Sequence, residues 1–257
     1  MLLCACAVLT LSGLALAGCA TPPPASDPEA QSEFKANNDP LEPTNRVIYA
    51  ISDKLDTYIL APIARAYVFV LPNPVRRGVH NVLANISSPA LLGNDMLQGK
   101  PRHAGDTFVR FLINSTAGVG GLFDVAAQAG YPSHDTDFGI TLALWGVPNG
   151  PYLFLPVLGP SSPRDAAGFG GNVALDPLTF VTGGGWTVLS YARFGVGAVD
   201  ARSEHLDDIK QIKEGALDPY ATFRSLYQQS RAAQIEQSHK DGPHTVPDWF
   251  TAPAAAQ

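Results

Sequence analysis

Residues 150–165 read GPYLFLPVLGPSSPRD, and this stretch decides what kind of fold the chain can adopt. Four prolines and two glycines surround a short apolar run. An interior proline removes a backbone donor and clashes with the preceding turn, so the run is no regular helix. It is also a poor central strand, because proline cannot donate to a ladder. Yet it is too apolar for an ordinary surface loop. It closes on Arg164 and Asp165. Two roles stay open for them: an ion pair that fixes the end of the segment, or an arginine that meets a phosphate. The adjacent acid favours the pair.

Around this irregular stretch the chain reads as helices. Val47, Ile51, Leu55, Tyr58 and Ile59 recur at helical spacing, and Pro62 suits the opening of a further helix. From Tyr58 to Leu71 the sequence is apolar on nearly all sides, relieved only by Arg65. Such a segment is either a buried core helix or one lying in a membrane interface with Arg65 snorkelling outward. Pro74 suits a first helical position, and Val75, Val79, Val82 and Ile86 form one stripe, with Arg76, Arg77 and His80 on other faces. A helix is expected over Gly105–Asn114, broken by Gly118, Gly120 and Gly121 before a short helix through Val125. Near the C-terminus two amphipathic helices are split at Asp218-Pro219. Leu206, Ile209 and Ile212 mark the first, and Tyr220, Phe223 and Tyr227 the second. No internal repeat is evident. The fold class expected is mainly α, with irregular Pro/Gly-rich segments.

The first residues, MLLCACAVLTLSGLALAGCA, form a short apolar run followed by small residues, the pattern of a secretory signal. The run ends in LAGC, a lipobox that places cleavage before Cys19 and lipid on its sulfur. No Lys or Arg precedes it, and an uncleaved membrane anchor is the competing reading. Ala20 rather than Asp follows the cysteine, which leans toward the outer membrane. Cys4 and Cys6 leave with the signal, so Cys19 is the one cysteine of the mature chain. An intrachain disulfide and a thiolate metal cluster are thereby excluded. The division expected is residues 1–18 as signal peptide, 19–38 as a lipidated flexible tether, 39–237 as one helical domain and 238–257 as a loose tail.

Charge narrows the function classes. The formal net charge is −6 and no basic stripe is present, so nucleic acid is not an expected partner. Charged residues make up 16%, below the globular average of about 25%. Hydrophobic residues reach 46% without a long spanning segment beyond the signal, which suggests apolar surface turned toward lipid. The G-x-S-x-G nucleophile elbow is absent, and Ser161 and Ser162 sit in a Pro-rich turn. His134, Asp135 and Asp137 in HDTDFG offer cation ligands, but the simpler reading is a turn whose Asp side chains cap the next segment. GGGW at Gly183–Trp186 lacks the Lys and Ser/Thr of a phosphate-binding loop. No catalytic residue, metal or cofactor is expected.

Four stretches in order carry a family resemblance: NNDPLEPTNR at Asn37–Arg46, FVRFLINSTAGVGGLFDVA at Phe108–Ala126, DTDFGITLALWGVPNGPYLFLPVLGPSSPRD at Asp135–Asp165, and DPYATFRSLY at Asp218–Tyr227. Together they resemble the MlaA (VacJ) family of outer-membrane lipoproteins, and the match thins after Phe169. The resemblance implies a ring-shaped bundle of amphipathic, interfacial helices around a central channel, lying on the periplasmic-leaflet side of the outer membrane. It implies that phospholipids strayed into the outer leaflet pass through that channel to a periplasmic phospholipid-binding carrier (MlaC-like), which keeps the membrane asymmetric. A trimeric outer-membrane porin is the implied partner. On this reading Gly146, Val147, Pro148, Asn149 and Gly150 form a mobile hairpin loop at the channel mouth, and Pro151, Tyr152 and Leu153 continue it. Carbonyls freed by Pro151, Pro156 and Pro160 would line water. Tyr152, Leu153, Phe154 and Leu155 would face lipid or the interior of the ring. The alternatives are an outer-membrane lipid hydrolase and a structural lipoprotein that braces a porin.

Overall fold

Prolines open most of the helices. A first-turn N–H has no intrahelical partner, so proline loses nothing there, and its fixed φ already suits the helix. The chain runs α1 (Pro28–Asn37), α2 (Glu42–Leu55), α3 (Ala61–Val70), α4 (Asn73–Leu97), α5 (Pro101–Thr116), α6 (Val125–Gln128) and α7 (Phe138–Leu144). A hairpin follows, β1 (Leu153–Leu155) and β2 (Gly159–Ser161). Then come α8 (Pro163–Leu175), α9 (Trp186–Glu204), α10 (Leu206–Gly215) and α11 (Pro219–Lys240). The first five of these helices and α8 carry proline in the first two positions. The computed structural model describes residues 20–240 apart from 25, 182 and 184; the 1–18 signal, Cys19 and the chain past Lys240 lie outside the described residues.

The fold is mainly helical, as composition and periodicity imply, with three local departures. The tether expected over 19–38 contains α1, because Asp27 caps its start by accepting from the Ala30 N–H at 3.0 Å. Asn38 ends it in the left-handed region at φ 46. Ser238, placed in the tail, lies buried inside α11, where its Oγ accepts from Lys100 Nζ at 2.7 Å. Pro62 lies in the first turn of α3, but no break precedes it: a π-helical turn, Asp56–Leu60, joins α2 to α3, and the Ala61 N–H reaches back to the Asp56 carbonyl.

The segment Gly150–Asp165 is a hairpin laid against the core. Its register pairs Leu153 with Ser161, Phe154 with Pro160 and Leu155 with Gly159. Phe154 turns its N–H away from β2, to Asn45 Oδ1 at 3.0 Å. Pro160, directly opposite, therefore stands where the ladder needs no donor. Asn45 Nδ2 donates in turn to the Tyr152 carbonyl at 3.1 Å and to Asp39 Oδ1 at 2.8 Å. One asparagine side chain thus substitutes for a neighbouring strand. Gly150 turns the chain into the hairpin at φ 74, and its carbonyl accepts from Asn38 Nδ2 at 2.7 Å.

This arrangement corrects the expectation that Tyr152 and Phe154 face lipid or the interior of a ring, while Leu153 and Leu155 stay half-buried. Tyr152 and Phe154 are buried with Tyr220 in the core cluster, with Ile48, Tyr49 and Tyr227 packed against it. The Tyr49 ring stands edge-on to Phe154 at 5.4 Å and to Tyr220 at 5.7 Å. The carbonyls of Gly150 and Tyr152 are both taken by side-chain amides, that of Tyr152 in the buried interior. Asp39, at the centre of this polar knot, also accepts from Tyr220 Oη and from Arg224 Nη1 at 2.9 Å.

A second clamp holds α7, α8 and α11 together. Arg231 on α11 meets Asp137 through two hydrogen bonds of 2.7 Å and Asp165 at 3.0 Å. Close approach is possible because the crossing residues are glycines. A Cβ on Gly168 would lie 2.5 Å from the Gly139 backbone nitrogen, and one on Gly139 would lie 2.5 Å from Arg231 Nη2.

The burial question over Tyr58–Leu71 has a clear outcome. Tyr58 is 78% exposed and Phe69 is 90% exposed, so this is not a core helix. α9 packs beside α3 and adds exposed Val188, Leu189 and Tyr191. Among the described residues no helix is long and apolar enough to cross a membrane.

Asn45→Ala is expected to destabilise the protein by about 3 kcal/mol, since it strands the Phe154 N–H and the Tyr152 carbonyl in the core. Chemical unfolding in detergent measures this. Gln229→Ala on the exposed face of α11 is the comparison, with a change within about 0.5 kcal/mol.

Candidate functional site

Uncharged amides converge at the centre of the helices. Asn81, Asn85, Ser88, Leu91 and Asn94 fall at helical spacing along α4 and line one side of a cavity of about 390 Å³. Asn114 on α5 and Asn172 on α8 face them across it. Leu91, Phe169, Val173 and Phe194 supply apolar wall, and the Phe169 and Phe194 rings meet edge to face at 6.1 Å. Two guanidinium groups border the space. Arg110 pairs with Asp124 at 3.0 Å and donates to the Tyr131 carbonyl. Arg193 pairs with Asp176 and keeps Nη1 buried without a hydrogen-bond partner.

A second cavity of about 380 Å³ lies alongside. Asp95, Gln98, Lys100 and His103 line it from α4 and α5, and Gln234, Gln237 and Ser238 from α11. The two cavities share one wall, Ser133, His134, Asp135 and Thr136. That wall is held at both ends. His134 Nε2 lies 2.8 Å from Asp95 Oδ1, whose other oxygen accepts from Thr107 Oγ1 at 2.7 Å. The His134 ring stands edge-on to His103 at 4.6 Å. Gln98 Nε2 donates to Thr136 Oγ1 at 2.6 Å and to Thr141 Oγ1 at 2.9 Å. Thr141 continues the chain to Asn94 Oδ1 at 2.9 Å, and Asn94 donates to Asn172 at 2.9 Å. A short irregular segment, pinned by hydrogen bonds and by the His103 ring, forms the wall that the two cavities share.

Of the residues singled out from the sequence, His134 and Asp135 line both cavities and Asp137 the second, while the others lie elsewhere. None of Gly146–Leu153 lines either cavity. Gly146, at φ 86, follows Trp145, which donates from Nε1 to the Leu97 carbonyl at 3.1 Å. Arg164 is buried, and its Nε lies 3.2 Å from Asp165 Oδ1. Asp165 also accepts from Tyr227 Oη at 2.5 Å, so the pair sits inside the α8–α11 clamp. His134 and Asp137 do not converge on one point: His134 serves Asp95, while Asp137 caps α7 through the Ile140 N–H at 2.9 Å and holds Arg231. Ser162 caps α8 by accepting from the Asp165 N–H at 3.2 Å. The amides that line the first cavity were missed. Their signal is the Asn81, Asn85, Ser88, Asn94 stripe, which runs along α4 beside the apolar stripe that drew attention.

The chemistry available is that of an amphipathic container. Amide and guanidinium donors can hydrogen-bond a phosphate ester, and the Phe169–Phe194 side can accept hydrocarbon. One carboxylate of its wall, Asp124, is shifted by its partners. Burial works to raise the Asp124 carboxyl, yet hydrogen bonds from Asn114, Arg110 and the Ala127 N–H outweigh it and hold it below the ordinary 3.8. A carboxyl depressed in the folded state stabilises above its unfolded value, and that contribution is lost as pH falls through the folded value. Unfolding free energy is therefore expected to be level near neutrality and to fall below about pH 4. In Asp124→Asn the fall should be shallower, as read by denaturant titration across that range.

Comparison with known proteins follows the same geometry. The family model described as MlaA lipoprotein matches residues 37–234. The intermembrane phospholipid transport system lipoprotein MlaA of Haemophilus influenzae is 34% identical over 243 residues, 93% of each chain. Its counterpart of the same name in Escherichia coli K12 is 33% identical, over 85% of this chain and 84% of that one. A solved structure, described as the structural basis for maintenance of bacterial outer membrane lipid asymmetry, superposes with a TM-score of 0.66 at 33% identity. It covers 77% of this chain and 98% of its own. The chain belongs to the MlaA lipoprotein family.

Proposed function

We propose that this protein is an outer-membrane lipoprotein that removes mislocalised phospholipids from the outer leaflet and passes them toward the periplasm. The observation that carries this reading is the paired cavity, lined by side-chain amides in both halves and bordered by two guanidinium groups in the first, and surrounded by helices with exposed apolar side chains. A headgroup needs polar contacts along its path, and its tails need hydrocarbon beside it. α3, the π-helical turn before it and α9 present that hydrocarbon contact: Phe69, Tyr58, Tyr191 and Val188 are each more than two-thirds exposed to solvent. Removing a side chain of Leu or Phe size from water contributes about 1.5–3 kcal/mol. Several such residues, together with lipid on Cys19, hold the body in the periplasmic leaflet, where one acyl chain alone would be marginal.

In this reading the helices form the ring and the two cavities are its channel. The segment Ser133–Thr136 separates the halves. Gly146–Leu153 supports the ring from the hub at Asn45, and the Arg164–Asp165 pair fixes α8. A periplasmic phospholipid carrier takes the lipid from the ring, and a trimeric porin seats the protein in the bilayer. No step requires a nucleophile, so the protein acts as a conduit and not as a hydrolase.

Ala84 is an exposed residue of α4 that lines the larger cavity. Ala84→Trp plugs the space without entering the core. Cells lacking the gene are expected to accumulate outer-leaflet phospholipid, read as palmitate transfer to lipopolysaccharide. Wild type restores the low level, whereas Ala84→Trp and Cys19→Ala do not. Full rescue by Ala84→Trp, at equal protein level in the outer membrane, would remove the cavity from the path. Unchanged asymmetry on deletion would leave only the role of a porin brace.

A further inference from the structure

One group of ligating side chains belongs neither to the cavities nor to the hub. His80 on α4 faces Asp200 and Glu204, one turn apart on α9. His80 Nδ1 lies 3.0 Å from Asp200 Oδ2 and 3.3 Å from Glu204 Oε1. All three ligand atoms fall within 4.8 Å of one another. Zinc binds imidazole nitrogen and carboxylate oxygen at about 2.0–2.2 Å, which sets the corners of a tetrahedral site about 3.3 Å apart. Two of the three edges are already at that spacing.

The surroundings fit a cation. Two carboxylates at i and i+4 on one helix face repel each other, and a cation held between them and the imidazole nitrogen relieves that repulsion. Asp200 is buried, with a side chain only 6% exposed. Tyr67 on α3 donates from Oη to Asp200 Oδ1 at 2.9 Å, which leaves Oδ2 turned to His80. Holding a ligating carboxylate by its second oxygen is the usual way an outer shell orients a metal ligand. Arg76, one turn before His80, is engaged by Asn73.

We propose that His80, Asp200 and Glu204 form a site for one divalent transition-metal cation of the zinc class, which fastens α9 to α4. One imidazole and two carboxylates suit zinc better than the all-oxygen ions calcium and magnesium. Three protein ligands leave a corner for water. The consequence reaches the cavity, because α4 supplies its amide stripe and α9 supplies Arg193 and Phe194. The cation sets the spacing of two of its walls.

The test is titration of the metal-stripped, full-length lipoprotein in detergent with Zn²⁺, followed by calorimetry and by thermal unfolding. Expected are one equivalent bound, a raised Tm, and no response to Ca²⁺ at the same concentration. His80→Ala and Glu204→Gln, both at half-exposed positions, should each weaken binding at least ~10-fold while keeping the metal-free Tm. Tyr67→Phe should weaken it about 10-fold through Asp200. His205→Ala, at an exposed histidine beside Asp208, should bind as wild type does. Absence of one-to-one binding, an equal response to Ca²⁺, or affinity that survives His80→Ala and fails in His205→Ala would each overturn the proposal.

Discussion

The structure depends on the side chain of Asn45. A two-stranded hairpin is marginal alone, and this one carries Pro160 within a strand. Asn45 supplies the missing neighbour, giving one acceptor to Phe154 and one donor to Tyr152. Its link to Asp39 brings in Tyr220 and Arg224. Three distant parts of the chain, residues 37–46, 150–165 and 218–227, therefore meet at one buried polar knot. Arg46 reinforces it from outside, pairing with Asp218 at 2.6 Å and lying over the Tyr220 ring at 4.5 Å. Buried polar groups of this kind are costly if one partner is missing and rigid when all are present. This is how a chain with so little hydrophobic core holds its shape.

That economy of core follows from where the apolar residues go. Eight buried hydrophobic residues appear among those described, four of them alanine. The large apolar side chains of α3 and α9 lie on the outside instead. A protein arranged in this way keeps polar groups for its centre and hydrocarbon for its rim, the inverse of an ordinary soluble domain. Hydrogen-bonded amides then do the work that packing does elsewhere, from Asn94 through Thr141 to Gln98, and again from Asn114 to Asp124. The same amides leave room between the helices, and that room is the candidate path for a polar headgroup.

Much of the fold was legible because local rules act there. Pro62 and Pro74 mark helix starts, Asp218-Pro219 marks a break, and Asp137 caps α7 as its position in HDTDFG suggests. The family was legible in four motifs. The site was not, for a physical reason. Apolar runs with proline attract notice because they break periodicity, and residues 146–153 drew the reading of a channel wall. Their role depends on a hydrogen bond to a residue more than a hundred positions away, which no local pattern displays. The α4 stripe was overlooked because uncharged Asn and Ser on a helix read as ordinary solvent face. Only the helices opposite, bringing Asn114 and Asn172 within the same space, give the stripe its meaning. The likeness of Tyr58–Leu71 to a core helix was likewise undecidable locally, since burial is a property of neighbours.

The central claim is that phospholipid passes through the amide-lined cavity. Its most direct test is photocrosslinking in living cells, with a photoreactive residue placed at Ser88 or Asn172 in the cavity, at Phe69 on the rim, and at Gln229 on α11. The account predicts phospholipid adducts at Ser88 and Asn172 that vanish when Ala84→Trp is added, while adducts at Phe69 persist and Gln229 gives none. Strong adducts at Phe69 with none at Ser88 and Asn172 would contradict it, and would make this protein one that touches lipid only from outside.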